Sequence, residues 1–283
     1  MITSISAAAP QRHRPSAARR AAAAAVAGGM VLAGVGLTAP TAHAAESDIS
    51  FSNVVVNKGK PVVVGISAEV EAQLTYTVQS NVTLDSWWVS GYRGTYGTNE
   101  YKLAVFTTRW SCGQSFAGGY TFHDCDETMT IDPDNMPGGN GNNLVNSDAA
   151  DWKTVGTAIK KGGGYDTDLL SATVRLQRAS RIQNMNASPE PVAKGSPITV
   201  IGTVQRANWS LHRYDNYGGR LVKLQFKPAG SSTYTTVKSV TASSTGYLKT
   251  TVTASQDGSW RWRYSGNSTT GASNSSADYV DVN

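Results

Sequence analysis

The sequence has few of the residues that enzymes use for catalysis. It contains four histidines and two cysteines in 283 residues, and charged residues make up only 16%. His123 and His212 are the only histidines after residue 44. No G-x-S-x-G elbow, H-E-x-x-H pair, phosphate-binding glycine loop or dinucleotide fingerprint occurs. A general base beside a nucleophile is therefore not indicated, and we do not expect an enzyme.

A hydrophobic run long enough to span a bilayer is also missing. The apolar stretch Ala21 to Leu37 is short, rich in alanine and glycine, and followed by no stop-transfer charges. A small-residue cleavage site, Ala42-His43-Ala44, comes after it. We predict a signal peptide over residues 1–44, a secreted mature chain that begins at Ala45 and no membrane span after processing. A retained anchor is the alternative, and Arg19-Arg20 leaves the export route open.

The basic pI of 9.1 does not describe the mature chain. The sequence has 25 basic and 20 acidic residues, but the signal peptide holds four arginines and no acid. The mature chain is nearly neutral, so the composition does not predict a nucleic-acid partner. Acidic residues predominate from Ala45 to Asn186, whereas basic residues are twice as numerous as acidic ones from Ala187 onward. The second half should therefore attract anionic partners.

Cys112 and Cys125 are the only cysteines. An even pair in an exported chain that closes a short loop predicts a disulfide, worth about 3 kcal/mol by chain entropy. A metal-binding cysteine pair is the alternative, but no C-x-x-C spacing supports it.

An internal repeat indicates two domains. Lys58-Gly59-Lys60-Pro61-Val62-Val63-Val64 is similar to Lys194-Gly195-Ser196-Pro197-Ile198-Thr199-Val200, and each copy reads as a turn leading into a strand. Two prolines in Asn186–Pro191 are typical of a linker. The predicted domains are residues 45–185 and 186–283.

Both halves show the alternation of β-strands. Val222, Leu224 and Phe226 share one strand face in the second half, which has about seven short strands separated by turns. That number of strands in about a hundred residues is typical of an immunoglobulin-like sandwich. The first half has a similar number of strands and one long loop from Asp132 to Asp148. We predict an all-β protein, with two immunoglobulin-like β-sandwich domains in tandem after the signal peptide.

The last hundred residues resemble a group of secreted actinobacterial proteins with a C-terminal immunoglobulin-like domain. The resemblance rests on Asn186–Pro191, Arg206-Ala207-Asn208-Trp209, Val222–Phe226 and Asp278–Val282. It covers the first half only loosely. It implies a sandwich fold and an extracellular location, and some similar chains carry a calcium-binding label.

Acidic residues are concentrated in a segment that has no lysine or arginine between Arg109 and Lys153. Hard cations such as Ca²⁺ bind carboxylate, amide and carbonyl oxygens, although the spacing here is not that of an EF-hand. The alternatives are a solvated loop and, because paired carboxylates can hydrolyse glycosides, a weak hydrolase. No cofactor is required, and Ca²⁺ is the candidate ion. The candidate ligands are Asp124, Asp126, Glu127, Asp132 and Asp134, with Asp148 and Asp151 nearby.

Aromatic and basic residues are concentrated between two predicted strands of the second half. Exposed Trp, Tyr and Arg on loops supply much of the energy of known binding interfaces. The alternative is that Trp209 and Tyr214 fold back over the open end of their own sandwich. The candidate binding residues are Arg206, Trp209, His212, Arg213, Tyr214, Tyr217 and Arg220.

These patterns favour a secreted, non-enzymatic binding or adhesion protein of the cell envelope or extracellular space. The partner would be a cell-wall polymer or another extracellular protein. An extracellular calcium-binding protein is the alternative.

Overall fold

Strand alternation places the large apolar side chains of this chain inside two sandwiches. A computed structural model describes residues 48–97, 102–104, 111–134 and 143–283; the predicted signal peptide lies outside them. Residues Glu46–Asn283 form one compact unit. No α-helix occurs in the described residues, and among them no helix is long and apolar enough to cross a membrane. The structure is thus all-β, as predicted.

Within the described residues, the first sandwich contains nine strands in two sheets. One sheet has the order β1-β3-β7-β6, and the other has the order β2-β9-β8-β4-β5, with β2 parallel to β9. The first order corresponds to strands A-B-E-D of an immunoglobulin domain, and β9-β8-β4 corresponds to G-F-C. The strands are β1 Ile49–Val56, β2 Val62–Val64, β3 Val70–Ser80, β4 Leu84–Arg93, β5 Lys102–Ala104, β6 Cys112–Ala117, β7 Tyr120–Ile131, β8 Asp151–Lys160 and β9 Tyr165–Arg178.

The second sandwich contains the other nine strands. In one sheet β11 pairs with β10 on one side and with β12 and β15 on the other; the facing sheet has the order β14-β13-β16-β17, with β18 also beside β16. Both sandwiches are immunoglobulin-like, as predicted. The strands are β10 Ser180–Ser188, β11 Pro197–Asn208, β12 Arg213–Asn216, β13 Leu221–Pro228, β14 Thr235–Thr241, β15 Tyr247–Thr253, β16 Gly258–Tyr264, β17 Ser273–Asn274 and β18 Asp278–Val280.

The boundary predicted at residues 185 and 186 is too late in the chain. Strand β10, Ser180–Ser188, pairs along its length with β11, and its Ile182 packs in the core of the second sandwich. The first sandwich therefore ends with β9 at Arg178. The predicted linker Asn186–Pro191 begins inside β10, so its prolines follow a strand and do not separate two domains.

Each sandwich has a fully buried tryptophan whose indole N–H donates a hydrogen bond to a backbone carbonyl. The Trp262 indole is fully buried and donates from Nε1 to the Ile201 carbonyl at 2.8 Å. A Cβ atom on Gly202 would lie 2.8 Å from this ring, so only glycine leaves the space. Trp152 is the equivalent filler of the first core and donates to the Asp148 carbonyl. Aromatic burial with a satisfied N–H is a large contribution to each core.

The predicted disulfide is present. Cys112 and Cys125 lie directly opposite each other on β6 and β7, with a Cα–Cα distance of 4.1 Å, and close a loop with a sequence separation of 13. We expect the Cys112→Ser/Cys125→Ser variant to lose about 3 kcal/mol of unfolding free energy in urea titration. Reduction of the wild-type protein should cause a similar loss. Free thiols in secreted material would contradict the pairing.

Candidate functional site

The predicted recognition segment from Arg206 to Arg220 lies against the first sandwich. It comprises the end of β11, a one-turn 3-10 helix at Trp209–Leu211 and strand β12. The Trp209 side chain is fully buried and packs in the core of the first sandwich, although its backbone belongs to the second. Its Nε1 donates to the carbonyl of Val64 on β2 at 3.2 Å. This indole therefore joins the two sandwiches.

Two asparagines fix the orientation of this indole. The Asn208 side chain caps the 3-10 turn by accepting from the backbone N–H of Leu211 at 3.1 Å. Asn146, on a 3-10 turn of the first sandwich, accepts from the backbone N–H of Trp209 at 3.0 Å. Its amide also donates to Asn208 Oδ1 at 2.9 Å. These bonds hold the turn and the first sandwich together on both sides of the tryptophan.

Arg178 forms a second buried link where the first sandwich ends. Its guanidinium Nε donates to the Ala207 carbonyl on β11 at 2.6 Å, and the residue is only 7% exposed. The backbone N–H of Ala207 donates in turn to the Ala179 carbonyl at 2.8 Å. Burial, followed by the charge of neighbouring Arg206, lowers the pKa of Arg178 to about 10. The link is thus a buried charged group that donates to a backbone carbonyl of the second sandwich.

Two arginines of the same segment stack on the ring of Tyr217. The guanidinium carbons of Arg206 and Arg220 are 4.2 and 4.8 Å from the centre of its ring. Its hydroxyl receives a hydrogen bond from Asn267 Nδ2 at 3.1 Å and lies 3.4 Å from Thr270 Oγ1. The ring is 8% exposed, so these arginines cover a buried phenol.

The prediction that Trp209 and Tyr217 are exposed contacts is wrong, because both rings are buried. The alternative, in which the aromatic residues are structural, is right about burial, but Trp209 and half-buried Tyr214 pack against the core of the neighbouring sandwich. Arg181 of their own sandwich also stacks on the Tyr214 ring, at 4.1 Å from its centre. The other predicted residues are distributed as follows: Arg206 and Arg220 stack on Tyr217, His212 pairs with Asp134 of the first sandwich at 2.5 Å, and exposed Arg213 pairs with Asp215 at 2.8 Å.

The environment of Tyr217 predicts an unusually acidic tyrosine. Burial alone raises the pKa of its phenol, but hydrogen bonds with Thr270, Asn267 and Tyr264 and the charge of Arg206 outweigh burial and lower this pKa to about 8. The unfolded chain keeps the ordinary pKa of about 10. From pH 8 to 10 the unfolded state therefore binds more protons, and we expect this residue to make stability rise with pH. The contribution is lost as the pH falls through the folded pKa.

Ultraviolet titration of the tyrosinate band measures this ionisation directly. We expect one tyrosine to ionise near pH 8 in the wild type and this step to be absent in Tyr217→Phe. Arg206→Gln should move the step to higher pH. A folded wild-type protein with no tyrosine ionising below about pH 9 would contradict the assignment.

The acidic residues predicted as calcium ligands do not converge. Asp124 and Asp126 point outward from β7, where they accept from Thr77 Oγ1 and Gln73 Nε2. Glu127 points inward, is 3% exposed and accepts from the Tyr76 hydroxyl at 2.8 Å.

The remaining acids lie further along the chain. Asp132 caps the turn at the end of β7 by accepting from the Asp134 N–H, and Asp134 contacts His212. Asp148 is buried against Arg93, and Asp151 pairs with Arg175. Residues 135–142 of the predicted loop lie outside the described residues. Calcium binding stays a prediction.

Glu127 also lies near the two cysteine sulfurs, within 4.8 Å. The sulfurs are joined in a disulfide and cannot act as thiolate ligands, so this group is not a metal site. Burial raises the pKa of Glu127, against the opposing effect of the Tyr76 hydrogen bond. Within the described residues its Oε2 atom is buried without a partner.

Sequence reasoning missed a group of cations in the second sandwich. Pairing of β13 with β16 brings Lys223 opposite Arg263 and Gln225 opposite Arg261, on the side of the sheet away from the core. The signal was present in the alternation, because Lys223, Gln225 and Lys227 lie opposite the apolar trio that begins at Val222.

Comparison with solved structures finds likenesses at low sequence identity. No protein-family model and no curated protein matches the chain. The D00-D0 domain of intimin is 15% identical, with a TM-score of 0.26, over 82% of this chain and 99% of that one. The fibronectin(III)-like modules of Clostridium thermocellum CbhA are 10% identical, with a TM-score of 0.29, over 81% and 92%. The Yersinia pseudotuberculosis adhesin InvE is 10% identical, with a TM-score of 0.22, over 82% and 58%. The fold assignment rests on the strand order.

Proposed function

We propose that the chain is an exported, non-enzymatic binding or adhesion protein of the cell envelope or extracellular space. In this proposal the two sandwiches act as one rigid unit that presents its outer sheet faces to a partner. The observation that carries the proposal is the burial of Trp209, a residue of the second sandwich, in the core of the first. Rigid pre-organisation of this kind reduces the entropy that a partner must remove on binding.

The environments of the titratable side chains support a structural role for them. His123 stacks on Trp87 with a centroid distance of 4.2 Å, and burial lowers the pKa of its imidazole. His212 pairs with Asp134 at the edge of the junction. In the part of the chain that the structure describes, neither histidine forms a hydrogen bond with a serine, threonine or cysteine side chain. These contacts favour a protein that binds without transforming its partner.

A sedimentation experiment tests the proposal. Purified mature protein, residues 45–283, is mixed with cell-envelope preparations and centrifuged. We expect the protein to sediment with the envelope material and to release no soluble fragments from it. A protein that stays in the supernatant at low ionic strength, or that releases soluble products, would contradict the proposal.

A further inference from the structure

The outward side of the sheet β14-β13-β16-β17 carries four cations, which we term the cationic face. The inward residues of β13 and β16 are apolar or aromatic, so the alternate residues point to solvent. Lys223 is exposed, and the other three are partly exposed. The cationic face consists of Lys223, Lys227, Arg261 and Arg263.

These cations have no acidic partner in the described part of the chain. Strands β13, β14, β16 and β17 contain no aspartate or glutamate, and Asp278 of neighbouring β18 accepts a hydrogen bond from the Ala187 N–H. Three arginines elsewhere have carboxylate partners: Arg93 pairs with Asp148, Arg175 with Asp151 and Arg213 with Asp215. The cationic face therefore groups four cations on one side of a sheet whose strands β13, β14, β16 and β17 supply no carboxylate.

The strand register increases the repulsion between these charges. Lys223 lies directly opposite Arg263 in the antiparallel pair β13–β16. Like charges in directly opposed positions of a sheet are destabilising. The fold therefore retains an unfavourable pair that an anionic partner would neutralise.

Neutral neighbours hold the two arginines in place. Arg261 donates from Nε to Gln225 Oε1 at 3.0 Å, and its guanidinium carbon is 3.7 Å from the centre of the Tyr234 ring. Arg263 donates to Asn274 Oδ1 at 3.2 Å. Because the Arg261 bond uses Nε, its terminal amino groups are left for an anion, and stacking reduces the entropy lost when one binds.

The geometry points to a binding site for a linear phosphate-bearing polymer on the cationic face; this inference rests on the proposed binding function. Residues two apart on a strand, such as Arg261 and Arg263, are about 7 Å apart, and adjacent strands are about 4.8 Å apart. The cations thus extend along and across the strands of one sheet face, which suits an extended chain with repeated charges better than one small anion. Arginine forks suit phosphate oxygens.

The test uses the mature chain, residues 45–283, with long-chain inorganic polyphosphate as the probe, in calorimetric titrations at low ionic strength. We expect Lys223→Gln/Arg263→Gln to weaken binding by at least about tenfold and to lower the salt dependence of the affinity. The matched control is Lys194→Gln/Lys249→Gln, which removes the same net charge from exposed positions off this face. Its affinity should change by less than about twofold.

Folding of the variant can be checked independently, because removing an opposed like-charge pair should not lower the melting temperature. Equal losses in the two double variants would overturn the inference, as would absence of polyphosphate binding by the wild type. Polygalacturonate binding as tight as that of polyphosphate would remove the phosphate preference, and tighter binding of duplex DNA would assign a nucleic acid instead.

The proposed function and this inference can fail separately. If Lys223→Gln/Arg263→Gln sediments with envelope material as fully as the wild type, the binding function stands and the cationic face is not its site. If the wild type itself does not sediment, the proposed function fails whatever the polyphosphate titrations show.

Discussion

Replacing Trp209 with alanine should lower the free energy of unfolding by about 4 kcal/mol, because the fully buried indole would leave a large cavity in the first sandwich. The change also removes the hydrogen bond to Val64. Urea titration measures the loss. The matched control is Leu211→Ala in the same 3-10 turn, whose side chain is 55% exposed and should change stability by less than about 0.5 kcal/mol.

The same substitution should also separate the unfolding of the two sandwiches. We expect the wild type to unfold in one calorimetric transition, since Trp209 takes part in both halves, and Trp209→Ala to show two transitions. A loss below about 1 kcal/mol with one unchanged transition would mean that the indole does not join the sandwiches.

Substitution of Gly246 by alanine should cost about 3 kcal/mol. Its φ is +75°, where a side chain is strained by about 1–2 kcal/mol, and a Cβ atom there would lie 2.5 Å from the Val204 carbonyl oxygen. That oxygen accepts from the Tyr217 N–H and cannot rotate away as a side chain would. Displacing it would disturb the β11 backbone beside the sandwich junction.

Gly230 provides the matched control for this clash. It has the same φ of +75°, but nothing lies within 4 Å of its added Cβ. Gly230→Ala should therefore cost only the conformational strain, about 1–2 kcal/mol. Equal losses for the two variants in urea titration would show that backbone conformation alone decides the effect at Gly246.

Strands with one face in the core and one in solvent could be predicted from the sequence. In β16, buried Trp260, Trp262 and Tyr264 alternate with arginines, and this period of two is visible in the chain. Strand β4 is harder to predict because β8 and β5 flank it in the sheet and its buried residues run consecutively from Val89 to Tyr92, so no clear alternation remains there. Strand β10 is also harder to predict, because it is rich in polar residues and interrupted by a register shift between Gln183 and Asn186.

The candidate sites were harder to predict, because the same residue types form recognition loops and buried junctions. Tryptophan, tyrosine and arginine between two strands suit either role, and only the position of the first sandwich decides that Trp209 is covered. By contrast, the sequence is sufficient to assign the acidic residues of β7 to the two sides of their strand. Once Tyr120–Ile131 is recognised as one strand, its period places Asp124 and Asp126 on one side and Glu127 on the other.

Because the Trp209 side chain of the second sandwich lies in the core of the first, mechanical force can pass from one sandwich to the other through it. Its indole is held in the first sandwich by packing and by Val64, while its backbone continues from β11 of the second. If a partner bound to the second sandwich were pulled, the force would pass through the buried Trp209 side chain into the core of the first sandwich. It would not first have to bend a flexible hinge. Cutting the chain after Arg178 would leave a cavity in the core of the first fragment and an exposed Trp209 indole on the second.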